Sequence, residues 1–370
     1  MNIPLSKPDI SEGDIEAVIA VLRTSQLSLG PELTGFESDM AGYIGAPHAI
    51  GLSSGTAGLV LALEALGIGE GDEVILPSFT FIATANAVLH RRATPVFADV
   101  DPVTLNLTAD TISRVLTGRS RAILLVHTFG YPVDIFPILE LARGQGLRVV
   151  EDACEAVGAE CGGRKAGSLG DLGVFSFYPN KPMTTGEGGI VVTANPALDR
   201  TIRALRNQGR TESDGWLEHS FLGANYRLSE MNCALGRSQL KRIDSILTRR
   251  EAIARGYCEL LRRFPDVVPP PVTVSRGRIS WFAFVVKIAG RDRVASALTR
   301  AGIGCRAYFP PIHLQPLYSA FRGAPHSLPV TEDVAFRTLA LPFFTAMRDD
   351  EIERVCRVLG DAVASGDALR

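Results

Sequence analysis

Seven short apolar runs punctuate the first two-thirds of the chain: Ala49 to Leu52, Glu73 to Leu76, Pro95 to Ala98, Ala122 to Val126, Arg148 to Glu151, Val174 to Phe177 and Gly189 to Thr193. None shows the strict apolar–polar alternation of a half-exposed strand, so both faces of each are expected to be covered. Helical stretches fill the gaps, as in Thr56 to Leu66 and Ile82 to His90. Strands alternating with helices predict an α/β fold built on a mostly parallel seven-stranded sheet. After about residue 240 the pattern changes. A long amphipathic stretch, Gln239 to Arg263, leads to the break Val268-Pro-Pro-Pro-Val272. A strand (Trp281 to Ile288), a helix (Asp292 to Ala301), another strand (Gly304 to Phe309) and terminal helices are expected next. Residues 1–240 therefore read as a large domain and 241–370 as a smaller C-terminal α+β domain.

Composition narrows the function. The chain has 370 residues, 46 % of them apolar, which is enough for two domains with ample core. Its net charge is −2 with acids and bases interspersed, so no basic face points to nucleic acid or to an anionic membrane. No charged segment followed by an apolar one opens the chain, and no apolar run approaches the ~18 residues of a membrane span. The six cysteines are scattered without a Cys-x-x-Cys pair, which argues against a disulfide framework or a metal site. A soluble cytoplasmic protein is expected.

Within this frame Lys181 stands out. Only Lys7, Lys165, Lys181, Lys241 and Lys287 among the 38 basic residues are lysine. Lys7 lies at a Pro-flanked terminus, Lys165 in the exposed-looking turn Gly162 to Gly167, Lys241 on a charged helix face and Lys287 at a strand end. Lys181 alone sits between an apolar strand stopped by Pro179 and the turn Thr184-Thr-Gly-Glu-Gly-Gly189. A lysine held in a confined, glycine-rich loop suits Schiff-base chemistry, because its amine can be deprotonated and condensed with an aldehyde.

Other residues supply companions. Ser53-Ser-Gly-Thr56 follows a strand and opens a helix. Small residues and free N–H groups there suit a phosphate, or the turn is an ordinary N-cap. Asp152 lies just past a buried parallel strand, pointing to the crevice where such sheets bind ligands. There it can hold a pyridine nitrogen protonated, or it caps a helix. Phe79-Thr-Phe81 places an aromatic at a strand end, fit to stack on a planar cofactor or to join the core. Ser176 and Asn225 are polar residues among apolar neighbours; together they suit phosphate ligation, and singly they read as a strand-face and a turn residue. A competing pattern overlaps: Gly51-Leu-Ser-Ser-Gly55 matches the nucleophile elbow of serine hydrolases, with Ser53 as nucleophile and His127, His313 or His326 as partner.

Several ordered motifs resemble the DegT/DnrJ/EryC1/StrS family of nucleotide-sugar aminotransferases, which are fold-type I pyridoxal 5′-phosphate (PLP) enzymes. They are Gln26-Leu-Ser-Leu-Gly-Pro31, Ser54-Gly-Thr56, Gly71-Asp-Glu-Val-Ile75, Pro95-Val-Phe-Ala-Asp-Val-Asp101, Glu151-Asp-Ala153, the Lys181 run and Asn225-Tyr-Arg227. Phe177-Tyr-Pro-Asn-Lys181, Leu205-Arg-Asn-Gln-Gly-Arg210 and Tyr308-Phe-Pro-Pro-Ile-His-Leu-Gln-Pro316 resemble the GDP-perosamine synthase branch most.

The resemblance implies that Lys181 forms the Schiff base with PLP, Asp152 pairs with the pyridine nitrogen and Phe81 stacks on the ring. It also implies that Gly55, Thr56 and Ser176 hold the phosphate, joined by Asn225 of a neighbouring subunit in a homodimer or larger homo-oligomer. Glu155 would stand near the phenolic oxygen, where many members carry Gln or His. Pro182 replaces a usual Asn or Gln, and Arg92-Ala93 a common Gly-Ala. The implied reaction passes an amino group, through pyridoxamine 5′-phosphate, from glutamate to C4 of a nucleotide-linked 4-keto-6-deoxyhexose. Arg306 and His313 are candidates for the nucleotide diphosphate, or structural residues of a Pro-rich loop. GDP, dTDP and UDP remain open as the nucleotide. Besides the hydrolase, a non-catalytic protein that keeps the PLP fold is the other reading.

Overall fold

The computed structural model describes residues 2–367 except 212, 216, 275–276 and 322–326. Strands β1 (His48–Leu52), β2 (Glu73–Pro77), β3 (Thr94–Ala98), β4 (Ser120–Val126) and β5 (Arg148–Asp152) come first. A small hairpin, β6 (Glu160–Cys161) and β7 (Arg164–Lys165), is followed by β8 (Leu172–Ser176) and β9 (Gly189–Thr193). Seven of these form one sheet in the order β1-β9-β8-β5-β4-β2-β3. Only β9 runs antiparallel, to both β1 and β8. The other pairings are parallel.

Helices α1 (Glu12–Leu22) and α2 (Pro31–Ile44) precede the sheet. Crossovers carry α3 (Gly55–Ala65), α4 (Ala83–His90), α5 (Ala109–Ser113) and α6 (Ile135–Gln145), while α7 (Pro196–Arg206) follows β9. The continuous apolar runs are explained by burial on both faces. Leu76, Leu124, Val150, Val174 and Val191 pack with Leu59, Leu63 and Val88 of α3 and α4. Ile75, Ile123, Leu125 and Val149 meet Ile138 and Ala142 of α6 on the other face. Phe175, Ile190 and Val192 meet Phe36 and Met40 of α2 there. Gly58 lets α3 lie close to the sheet, since a Cβ on it would sit 2.7 Å from Val174 Cγ1.

Beyond residue 229 the structure departs from the sequence pattern in four places. The expected single helix Gln239 to Arg263 is two, α8 (Glu230–Leu240) and α9 (Ile243–Leu261). At the break, Gln239 and Arg242 both bond the carbonyl of Asp9 and the carboxylate of Asp14, a tertiary contact that local periodicity does not contain. After β10 (Val267–Val268) and β11 (Gly277–Arg278), the expected strand from Trp281 starts only at Phe284, as β12 (Phe284–Ile288). Trp281 has φ +56°, which interrupts extended backbone. The expected strand Gly304 to Phe309 reduces to one bridge, Arg306 with Ala340, ahead of Pro310-Pro311. β12 is paired on one side by β10 and on the other by β13 (Thr338–Leu341), the latter in a region read as helical. Helices α10 (Arg291–Arg300), α11 (Pro329–Arg337) and α12 (Asp349–Asp367) complete this part. Its core joins Tyr257, Trp281, Phe284, Phe343 and Ile352, and also Ile3 from the start of the chain.

Beneath the C-terminal edge of the large sheet lies a fully buried pair, Glu151 and His127. Val133 N–H donates to His127 Nδ1, so the ring proton sits on Nε2 and is donated to Glu151 Oε2 at 2.9 Å. Glu151 also accepts the N–H groups of Gly167, Leu169 and Gly170 at 2.6–2.7 Å. Burial alone pushes its carboxyl pKa up, but the His127 contact and these N–H groups outweigh burial and hold it below the usual range. A depressed native pKa gives stability that is present at neutral pH and lost as pH falls through that pKa. Glu151→Gln is therefore expected to cost about 3 kcal/mol at pH 7 in urea unfolding. The difference from the wild type should shrink at acid pH; a penalty constant with pH would contradict this account.

Candidate active site

The loop after β8 is fixed by its own hydrogen bonds. Phe177 N–H donates to Gly188 O, and Phe177 O accepts from Thr185 N–H and from Thr184 Oγ1. Asn232 of α8 ties down the far limb through the carbonyls of Thr185 and Glu187. Lys181 N–H closes on Tyr178 O. The lysine side chain is 12 % exposed, and its Nζ lies 3.7 Å from Glu155 Oε1. On another side the Phe282 ring centroid is 4.0 Å away. The amine thus sits between a carboxyl group and an aromatic face.

Two segments hold that niche together. Phe129 N–H donates to Glu155 Oε2 at 2.8 Å, and Phe129 O accepts from Phe282 N–H at 3.1 Å. Ser280 adds a bond to Glu155 O. Arg250, buried in α9, donates Nε to Trp281 O and Nη2 to Phe282 O, both at 2.8 Å. Glu155 is buried, and burial pushes its pKa up. The Lys181 charge and the Phe129 N–H oppose that shift without cancelling it, and the Asp152 charge adds to it. Tyr308 lies across the same niche, stacked on Phe129 with centroids 6.2 Å apart. Burial raises its phenol pKa, and the Glu155 charge raises it further.

Asp152 ends β5 and caps no helix, because a turn follows it. Its Oδ2 accepts from Thr84 Oγ1 at 2.8 Å, and its Oδ1 from Cys154 N–H at 3.1 Å. Ser54 caps α3 through Ala57 N–H, so the N-cap reading holds. The N–H groups of Gly55 and Thr56, which precede Ala57 in the first turn, have no intrahelical acceptor. A Cβ on Gly55 would come within 2.8 Å of both Ser176 Cβ and Cys154 Sγ, so this glycine opens a cradle beside the Ser176 hydroxyl. Phe79 is fully buried, edge-on to Phe129 and Phe309, whereas Phe81 is 60 % exposed at the same edge.

The remaining candidates lie further out. Asn225 is exposed and pairs by backbone with Asn207; the next residue, Tyr226, accepts Ser53 N–H. Arg306 is exposed, near enough for its charge to act on Tyr308. Both ring nitrogens of His313 are engaged, with Ser78 Oγ at 2.6 Å and Glu332 at 3.3 Å, which anchors the Pro-rich loop to the end of β2. His127 is likewise committed to Glu151 and Val133, so the hydrolase reading finds neither of these histidines available to Ser53. His326 lies outside the described residues. The sequence reading missed Thr84, Phe129, Phe282 and Arg250. Only Thr84 had a signal, its place one helical turn after Phe79-Thr-Phe81.

The pattern of the DegT/DnrJ/EryC1/StrS aminotransferase family matches residues 8–360. The chain belongs to this family. It is 39 % identical to GDP-perosamine synthase of Caulobacter vibrioides, over 97 % of each chain. It is 40 % identical to a UDP-N-acetyl-3-dehydro-alpha-D-glucosamine 3-aminotransferase of Acidithiobacillus ferrooxidans, over 92 % of this chain and 90 % of the other. Its fold matches the aminotransferase TlmJ of Streptoalloteichus hindustanus with TM-score 0.94 and 34 % identity, covering 99 % and 100 % of the two chains. The protein is a PLP-dependent sugar aminotransferase of fold type I. The residues present fit that cofactor. A confined lysine, a buried carboxylate, a helix start without a Cβ and an exposed aromatic ring share one sheet edge.

A raised native pKa for Glu155 means that its contribution to stability is intact below the unfolded value, about 4.3. That contribution is lost as pH rises through the native value. Glu155→Gln keeps an acceptor for Phe129 and never ionises. The melting temperature of the apoprotein variant, relative to wild type, should therefore climb as pH rises above that unfolded value and then level off. A difference that stays flat from acid to neutral pH would count against a raised Glu155 pKa.

Proposed function

We propose that the protein transfers an amino group from L-glutamate to C4 of a GDP-linked 4-keto-6-deoxyhexose. The observation that carries the aminotransferase site is the burial of Lys181 Nζ between Glu155 and Phe282, on the sheet edge that also presents Asp152. When bound, PLP supplies an aldehyde for amine exchange and a ring that accepts electrons. Lys181 anchors it, and Asp152 keeps the pyridine nitrogen protonated. Phe81 lies against the ring. Gly55 and Thr56 N–H groups, with the Ser176 hydroxyl, bind the phosphate dianion at the start of α3, where the helix dipole favours negative charge.

Once released, Lys181 Nζ takes the α-proton of glutamate, and on the sugar side it delivers a proton to C4. Phe282 and Tyr308 keep water from the amine during these transfers. Burial raises the Glu155 pKa, and in its protonated form Glu155 would donate a hydrogen bond to the cofactor's phenolic oxygen instead of repelling it. Asn225 completes the phosphate site of a second copy in a homodimer, and Arg306 meets the nucleotide diphosphate, with His313 holding the neighbouring loop. The chain is read as two bodies, residues 1–240 and 241–370, with the site between them.

The GDP-linked substrate is supported by the likeness to GDP-perosamine synthase over nearly the whole of both chains. A UDP-linked sugar is the second reading, favoured by the equal likeness to the Acidithiobacillus enzyme. The pyridoxamine 5′-phosphate form, mixed with GDP-, dTDP- and UDP-linked keto sugars, separates these. Return of the PLP absorbance is expected with the GDP-linked 4-keto sugar and is expected to vanish in Lys181→Ala. Return with only a UDP- or dTDP-linked sugar would replace the nucleotide, and return with only a non-nucleotide ketone would remove the sugar assignment.

A further inference from the structure

Thr84 is 1 % exposed and lies in the first turn of α4. A helical threonine commonly turns its hydroxyl back to the carbonyl one turn earlier. Thr84 instead gives its single hydroxyl proton to Asp152 Oδ2, at 2.8 Å. Its own N–H donates to Phe81 O at 3.2 Å. One residue thus bonds to the Asp152 carboxylate and to the main-chain carbonyl of Phe81, the two residues proposed above to flank the pyridine ring. Thr80 Oγ1, 3.5 Å from Thr84 Oγ1, backs the hydroxyl. Packing alone does not ask for this group, since valine has the same shape and a buried hydroxyl is costly unless bonded.

We propose that Thr84 is a positioning residue for the aminotransferase reaction. From a main chain tied to that of Phe81 it fixes the Asp152 carboxylate, so that the carboxylate meets the pyridine nitrogen and keeps it protonated. The inference rests on the roles proposed above for Asp152 and Phe81. Cys154 N–H donates to the other oxygen, Oδ1, so loss of the Thr84 hydroxyl removes the bond that orients Oδ2. A hydrogen bond to a charged group is strong enough that removing it should change cofactor affinity by about ten-fold.

The test compares Thr84→Val, Thr84→Ser and Asp152→Asn as full-length protein loaded with PLP labelled at the pyridine nitrogen. Cofactor affinity is read by fluorescence titration, and ring protonation by the nitrogen NMR resonance. In Thr84→Val, binding is expected to weaken about ten-fold, and the resonance to move toward that of Asp152→Asn. Thr84→Ser, which restores the hydroxyl, is expected to return both to wild type. A wild-type resonance in Thr84→Val would overturn the inference, and so would a serine variant that behaves like valine. If Asp152→Asn itself leaves the resonance unmoved, the role of Asp152 falls first and the inference falls with it.

Discussion

The active-site niche depends on one backbone seam, in which Phe129 gives its N–H to Glu155 and takes the N–H of Phe282. Through those two bonds a turn following β4 joins the carboxyl on one side of Lys181 to the aromatic on the other. The seam is held open at a conformational cost. Phe129 and Trp281 both have φ +56°, which non-glycine residues adopt rarely. Such strain persists only where the surroundings impose it, and Arg250 does so by bonding the carbonyls of Trp281 and Phe282. A guanidinium buried at 3 % exposure, bonded here to carbonyls, is expensive. Its work in positioning Phe282 gives that expense a reason.

Electrostatics at the seam follow from crowding acids and a base where water is scarce. Burial raises the pKa of both Cys154 and Glu155; the nearby Asp152 charge raises them further and the Lys181 charge opposes the rise. Burial dominates for Glu155 and drives it toward the neutral form. For Glu151, buried more deeply still, a histidine and three N–H groups reverse the outcome. Two glutamates four residues apart therefore carry opposite protonation preferences, set by the donors around them and not by depth. The lower one braces the end of β5, and the upper one faces the chemistry.

Much of this was legible in the sequence, because the signals were local. Uninterrupted apolar runs marked the strands of a doubly covered sheet, and a lone lysine in a glycine-rich loop marked the amine proposed to hold PLP. Ser54, Gly55 and Thr56 fell at a helix start by their small size. What was hidden depends on long-range contact. The split between α8 and α9 comes from Asp9 and Asp14, more than 220 positions away. β13 was obscured because its four residues pair with a strand some 50 positions earlier and with Arg306, contacts that local pattern does not contain. Phe282 and Arg250 reach Lys181 only through tertiary packing, so their spacing in the chain carries no sign of the site.

The central claim is that Lys181, enclosed by this seam, is the amine that holds PLP. Borohydride reduction of the PLP-loaded protein followed by peptide mass spectrometry tests it directly. A single pyridoxyl group on the peptide containing Lys181, with Lys7, Lys165, Lys241 and Lys287 unlabelled, is the outcome this account requires. A stoichiometric label on one of those four lysines, or none on Lys181, would contradict it.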